Sequence, residues 1–286
     1  MNIKALLIYA ASKLQTVGIK SENLESRILM QHVTGKSIEY LLAKSEEELT
    51  EAEQIIFKNL VNRRILLEPI AYIIGYKEFY GYQFIIDNKV LIPRQDTEVL
   101  VDAILSDIKT NAELAILELG TGSGCIALSL LLEMQNSNVT ATDISNEAIA
   151  IARQNAIKHK VSDRFKIINS NWFENLEKQK FDIIVSNPPY ISFDDTVYMS
   201  PETLKYEPHL ALFAEDNGLA SYYIIAKEAK GFLKQNGKLF LEIGFNQLAA
   251  VTEIFVSYGY TVKQVYKDLE GRDRGFLIDM ANPGNV

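Results

Sequence analysis

Within this 286-residue chain, Asn187-Pro188-Pro189-Tyr190 is the stretch whose residue types could do chemistry. Asn187 is neutral and offers both an amide oxygen acceptor and an NH2 donor. Two prolines in succession supply carbonyls without N–H groups, and their fixed φ angles hold those carbonyls in one direction. A site so built accepts hydrogen bonds. Its complement is a planar NH2 group, held by the Asn187 oxygen and the Pro188 carbonyl, with the Tyr190 ring against its flat face. Such a group is an amide or an exocyclic amine, a poor nucleophile that must be positioned to react. The competing reading is a stiff turn, because Asn and Pro are ordinary turn residues.

The elements around the motif decide between these readings. Phe181 to Ser186 is an apolar run that reads as a buried parallel strand, and strand ends are where α/β folds put chemistry. Upstream, residues 114 to 124 (Leu-Ala-Ile-Leu-Glu-Leu-Gly-Thr-Gly-Ser-Gly) form a strand running into a glycine turn, followed by a helix from Cys125 to Met134. Gly120, Gly122 and Gly124 allow a tight turn and a close ligand approach at a helix N-terminus. A dinucleotide fingerprint would need its third glycine at Cys125, so the spacing disfavours a nicotinamide cofactor. A second strand, residues 138 to 143, ends in Asp143, placed to reach a ribose hydroxyl pair; the competing role is N-cap of a helix over Asn146 to His159.

Glycine turn, ribose acid and Asn-Pro-Pro-Tyr in this order resemble class I S-adenosylmethionine-dependent methyltransferases of the branch that methylates planar NH2 groups. Over nearly its whole length the chain is similar to the release factor glutamine methyltransferase family. The matching stretches are Glu68 to Gly75, Ile92-Pro93-Arg94-Gln95-Asp96-Thr97-Glu98, Glu118 to Gly124, Ser170-Asn171-Trp172-Phe173, Ser186 to Ile191 and Tyr206 to Leu212. Gln95 stands where the family usually has a second proline, and Asn171 where Asp is common. The resemblance implies methyl transfer from S-adenosyl-L-methionine to the side-chain amide of the Gly-Gly-Gln glutamine of peptide chain release factors. N5-methylglutamine and S-adenosyl-L-homocysteine would be the products. It implies a cofactor held by Glu118, Gly120, Thr121, Gly122, Ser123 and Gly124, with Asp143 on the ribose, Trp172 beside the adenine and Asn187 at the methyl. Asn187, Pro188, Pro189 and Tyr190 would bind the substrate, with Asn187, Pro188 and Tyr190 at the chemistry. On residue type alone, Trp172 reads equally as a core aromatic.

Composition agrees: 48% hydrophobic and 23% charged residues are ordinary for a globular protein. A net charge of −8 and pI near 5.1 argue against a broad phosphate-binding face. The single cysteine, Cys125, reads as a buried small residue, and three scattered histidines have no ligand spacing, so no metal site is expected. No run is long enough to span a membrane. A cytoplasmic monomer is expected.

Apolar residues recur at helical spacing from Ile3 to Val17 and from Leu24 to Val33, and two further helices are expected near 37 to 43 and 50 to 67, the last opened by a Thr50-Glu51-Ala52-Glu53 capping box. The expected division is a helical substrate-docking domain at 1–69, a β-hairpin linker at 70–92 and an S-adenosylmethionine-binding catalytic domain at 93–286. The fold expected is α/β, a doubly wound seven-stranded methyltransferase sheet with a small N-terminal helical bundle. Its strands lie at 114–119, 138–143, 165–169, 181–186 and 238–243, with a closing antiparallel hairpin at 261–268 and 275–280. Two other functions stay open. One is a nucleic-acid amino methyltransferase on adenine N6 or cytosine N4, disfavoured by the acidic charge. The other is a noncatalytic release-factor-binding adaptor, disfavoured by the intact Asn-Pro-Pro-Tyr.

Overall fold

The computed structural model describes residues 1–108 and 113–280. They divide into two compact units, Met1–Tyr76 with Ser200–Tyr206, and Lys77–Met199 with the chain from Glu207 onward. No helix among the described residues is long and apolar enough to cross a membrane.

The first unit is helical, with α1 (Ile3–Thr16), α2 (Glu22–Thr34), α3 (Ile38–Ala43), α4 (Glu51–Ile65) and α5 (Ile70–Ile74). Asn2 caps α1 by accepting from the Ala5 N–H, and the expected capping box opens α4, with Thr50 and Glu53 bonding each other's backbone. The apolar faces meet in a core that includes Ile3, Leu6, Ala10, Leu29, Met30, Phe57 and Val61. Helical periodicity cannot announce Arg64, which is only 3% exposed. Its guanidinium bonds Glu25 at 2.5 Å and Glu202 at 2.7 Å, and so ties the short helix Pro201–Tyr206 into this unit. Breaking such a buried group leaves an uncompensated charge, so the insertion is firmly held.

The segment 70–92 differs from the expected hairpin at its start, where Ile70–Ile74 is helical and ends on Gly75 at φ 81°. The hairpin itself is β1 (Tyr76–Phe79) and β2 (Tyr82–Ile85), joined by Tyr80 and Gly81, both at positive φ, as two-residue hairpin turns require.

The second unit is an α/β fold around a seven-stranded sheet. Its strands are β3 (Ala115–Leu119), β4 (Asn138–Asp143), β5 (Phe165–Asn169), β6 (Phe181–Ser186), β7 (Leu233–Glu242), β8 (Tyr260–Lys267) and β9 (Asp273–Met280), in the order β5-β4-β3-β6-β7-β9-β8. The first five run parallel, and β9 pairs antiparallel with both β7 and β8. Strand β7 begins five residues before the expected 238, because Lys234, Gln235 and Asn236 are exposed and carry no apolar pattern. Both sheet faces are covered. Ile116, Val139, Ile183 and Val185 face one core, shared with the helices α6 (Glu98–Asp107), α7 (Cys125–Glu133) and α8 (Asn146–Lys158), while Leu117, Leu119, Ile184 and Leu239 face the other. Two-sided burial is why these strands read as continuous apolar runs.

After β3 the chain winds through β4 to β5 on one side, then returns to place β6 on the other side of β3. The carboxyl ends of β3 and β6 therefore flank the point where the winding reverses, the crevice in which open α/β sheets bind ligands. Leu119 and Ser186 are register partners there, and the Ser186 hydroxyl donates to the Leu119 carbonyl at 2.8 Å.

Candidate active site

Two turns leave the sheet at this crevice. The glycine turn after β3 is held by Gly120 and Thr121 N–H groups donating to the Thr142 carbonyl at 2.9 and 3.0 Å, and by Gly122 N–H donating to Asp143 Oδ2 at 2.8 Å. Buried Asn155 supports it from beneath, its Nδ2 donating to the Ser123 carbonyl at 2.9 Å. Gly120, Gly122 and Gly124 have φ of 70°, 55° and 82°. A Cβ on Gly124 would stand 3.1 Å from Leu128 and 3.3 Å from Ala152, so this glycine serves packing against α7 and α8. A Cβ on Gly120 or Gly122 would meet no protein atom. These two face a cavity of about 330 Å³ that Asp143, Trp172, Asn187 and Pro189 also line.

Asp143 Oδ1 accepts from Ser145 N–H at 2.9 Å while Oδ2 holds Gly122, and each oxygen keeps a further lone pair for a ligand. Helix α8 is capped by Ser145, whose hydroxyl accepts from Ala148 N–H, so Asp143 is not its N-cap. Burial raises the Asp143 pKa, against the pull of its backbone N–H partners. Trp172 sits at φ 52°, an uncommon conformation for an aromatic residue, which aims a half-buried ring at the cavity.

Glu118, Thr121, Ser123 and Gly124 lie under the turn and do not line the cavity. Glu118 accepts from the Thr121 hydroxyl, and burial pushes its pKa up to about 8. Because that folded value exceeds the ordinary 4.5, the native state binds a proton between pH 4.5 and 8 that the unfolded chain releases. The resulting stability is complete below 4.5 and is lost as pH rises through about 8. Relative to wild type, Glu118→Gln should therefore gain stability across that window, on the order of a few kcal/mol, in denaturant titrations of the ligand-free protein. A pH-independent difference would refute the assignment. The Cys125 thiol is buried and raised to about 12, as suits a core residue rather than a nucleophile.

The Asn-Pro-Pro-Tyr turn is braced from several sides. Asn187 Nδ2 donates to the Thr97 hydroxyl at 3.2 Å, which turns its Oδ1 the other way. Ser221 donates to the Pro189 carbonyl at 2.9 Å and Gln247 Nε2 to the Tyr190 carbonyl at 2.9 Å. Gly218, at φ 82°, lets the backbone pass so close that a Cβ there would lie 2.2 Å from the Tyr190 oxygen. Among the described residues the Pro188 carbonyl takes no hydrogen bond, but Pro188 is buried and, unlike Asn187 and Pro189, does not line the cavity as the sequence led one to expect. Tyr190 departs from expectation. Its ring packs on the core and does not line the cavity, and its hydroxyl donates to Glu242 Oε1 at 3.1 Å while accepting from Arg274 at 3.3 Å. Burial raises the Tyr190 pKa, with the Glu242 charge adding to the effect.

Of the residues singled out from sequence, Gly120, Gly122, Asp143, Trp172, Asn187 and Pro189 meet at one cavity. The sequence reading missed Thr97, Ser221, Glu242, Gln247 and Arg274 as supports, and Lys89 to Leu91 as lining. Glu242 carried a legible signal, a carboxylate ending an apolar strand. Gln95, the departure from the family's proline, is exposed and opens the 3-10 turn Gln95–Thr97, closed by Thr97 N–H to the Arg94 carbonyl at 3.1 Å. Arg94 is extended (φ −97°, ψ 143°), as a residue before proline prefers. Gln95→Pro is thus expected to stabilise the fold by ~0.4–1 kcal/mol by restricting the unfolded chain, measured as a raised denaturation midpoint. A lowered midpoint would mean the turn cannot accept the ring.

Residues 95–204 match the methyltransferase small domain and residues 5–75 the PrmC N-terminal domain. A bifunctional methyltransferase of Rickettsia prowazekii is 53% identical over 299 residues, covering 98% of this chain and 58% of that protein. The chain thus spans little more than half the length of such relatives. The release factor glutamine methyltransferase of Agrobacterium fabrum is 39% identical over 276 residues, covering 95% of each chain, and that of Francisella tularensis is 38% identical, covering 96% of each. Among solved structures, a methyltransferase from Pyrococcus furiosus shares the fold, with a TM-score of 0.54 at 21% identity over 77% of this chain and 98% of that one.

Proposed function

Because the chain belongs to the release factor glutamine methyltransferase family, we propose that it methylates the side-chain amide nitrogen of the Gly-Gly-Gln glutamine in peptide chain release factors. The observation that carries this is the meeting of an open glycine cradle and the Asn187 amide at one cavity. S-adenosyl-L-methionine supplies an electrophilic methyl group and leaves as S-adenosyl-L-homocysteine. The residues fit it: Gly120 and Gly122 leave room for a ligand against their backbone, Asp143 keeps acceptors for ribose hydroxyls, and Trp172 offers a flat wall.

Asn187 Oδ1 and the Pro188 carbonyl are assigned the two hydrogens of the glutamine amide. An amide lone pair is delocalised and weakly nucleophilic. Acceptors fixed on its hydrogens strengthen as positive charge builds on nitrogen, so they lower the barrier more than they favour the bound substrate. The methylated amide cation is strongly acidic, and loss of its proton needs no dedicated base. The remaining contribution is alignment by a braced turn. Residues 1–69 are assigned the gripping of the protein substrate, supported by the match of 5–75 to a domain of this family. A substrate drawn from translation assigns the protein to the cytoplasm.

Labelled S-adenosyl-L-methionine should be offered with a release factor, with its Gln-to-Ala variant and with nucleic acid, followed by mass mapping. Label confined to the Gly-Gly-Gln glutamine is expected. Label on nucleic acid would replace this reading with base methylation, and no label on any acceptor would favour a binding role alone.

A further inference from the structure

Two stretches that carry the resemblance to the family, Ile92-Pro93-Arg94 and Glu207-Pro208-His209-Leu210, meet through one side chain. Glu207 is 5% exposed, and its carboxylate takes two bonds from the other stretch: Ile92 N–H donates to Oε2 at 3.1 Å, and Arg94 Nη2 donates to Oε1 at 2.5 Å. The loop 86–94 contains no helix or strand, so the buried Ile92 N–H has no ladder partner and depends on a side-chain acceptor. Pairing with Arg94 adds a charge-assisted bond to the same carboxylate.

Both stretches wall the cavity. Lys89, Val90 and Leu91 line it just before the Ile92 bond, and Pro208, Leu210, Ala211, Phe213 and Ala214 line it just after Glu207. Segment 207–214 has little regular structure of its own, one short 3-10 turn at His209–Ala211. Its far end is pinned by backbone: Ile191 N–H donates to the Leu212 carbonyl and Ala214 N–H to the Ile191 carbonyl, each at 3.0 Å. Ile191 directly follows Asn-Pro-Pro-Tyr, so the segment runs from the 92–94 loop to the exit of that turn. We propose that Glu207 is a positioning residue that fixes these two walls against each other and so sets how tightly the cavity retains S-adenosyl-L-methionine. This rests on the reading that the cavity, with its glycine cradle, Asp143 and Trp172, holds that cofactor. A wall freed at one end lets a bound ligand leave sooner, so the effect falls chiefly on dissociation.

The test uses the full chain with Glu207→Ala, Glu207→Gln, Arg94→Met and the Arg94→Met/Glu207→Gln double variant. S-adenosyl-L-methionine is the probe: its affinity is read by calorimetry, its dissociation rate by displacement with S-adenosyl-L-homocysteine, and the melting temperature is taken without ligand. Glu207→Ala removes both bonds and should weaken binding about ten-fold, mostly through faster dissociation. Glutamine keeps the volume and an acceptor for Ile92 but gives up the charge-assisted bond, so about three-fold is expected. The double variant should cost less than the sum of its singles, because both cut one ion pair. A merely structural role would lower the melting temperature and leave cofactor dissociation from the folded protein unchanged. Wild-type affinity and dissociation rate in folded Glu207→Ala would overturn the proposal. Should the alanine variant fail to fold, wild-type dissociation from Glu207→Gln would overturn it instead. A wild type that binds no S-adenosyl-L-methionine would sink the reading of the cavity and this inference with it, whereas equal binding by wild type and Glu207→Ala would sink the inference alone.

Discussion

Asn187→Ala is expected to slow methyl transfer by roughly 10²–10³-fold, the scale for losing one preorganised transition-state hydrogen bond, while cofactor affinity stays nearly unchanged. The separation follows from where the group sits. Asn187 lines the cavity beside the glycine turn, yet its Nδ2 is bonded to Thr97 and the turn is otherwise held by Ser221 and Gln247, so the truncation removes an acceptor without releasing the loop. Asn187→Asp is a sharper probe. It keeps the volume and an acceptor but brings a negative charge, and should retain part of the activity. Tyr190 needs a different expectation from the one its ring alone suggests. Because its hydroxyl lies between Glu242 and Arg274, Tyr190→Phe leaves buried polar atoms short of a partner and should lower stability by ~1–3 kcal/mol as well as slow transfer. Single-turnover rates at saturating cofactor and release factor check all three, with denaturant titrations for the tyrosine. Wild-type transfer in Asn187→Ala would return Asn-Pro-Pro-Tyr to the role of a stiff turn.

Asp143→Ala should weaken S-adenosyl-L-methionine binding roughly ten- to hundred-fold, the equivalent of a charge-assisted hydrogen bond worth ~1.5–3 kcal/mol. Its oxygens do two jobs. Oδ2 fixes the Gly122 N–H and Oδ1 the Ser145 N–H, so alanine removes the ribose acceptors and also frees the turn that must approach the ligand. Asp143→Asn should fall between, since one of its two side-chain atoms becomes a donor facing a backbone N–H. Calorimetry on folded variants checks this; unchanged affinity in Asp143→Ala would refute the ribose assignment.

Much of this was legible in the chain itself because it depends on local chemistry. Apolar runs at β3, β4 and β6 read as strands since both sheet faces are buried, the glycines at 120 and 122 announced a turn at positive φ, and Thr50 with Glu53 announced the start of α4. Asn187 was legible because a neutral amide followed by two prolines is a statement about hydrogen-bond polarity. Long-range bonding was not. Thr97, Asn187, Tyr190, Glu242 and Arg274 are scattered over 178 residues from the Asp96–Arg274 pair inward, and only the winding of the sheet brings them together. The same holds for Arg64 and Glu202, 138 residues apart, which draw a helix following the Asn-Pro-Pro-Tyr strand into the helical unit. Periodicity reports which face of an element is buried, whereas the partner of a buried charge depends on which elements become neighbours. The acceptors that could do chemistry were thus written in the sequence, and the distant side chains that brace their turn were decided by the tertiary structure.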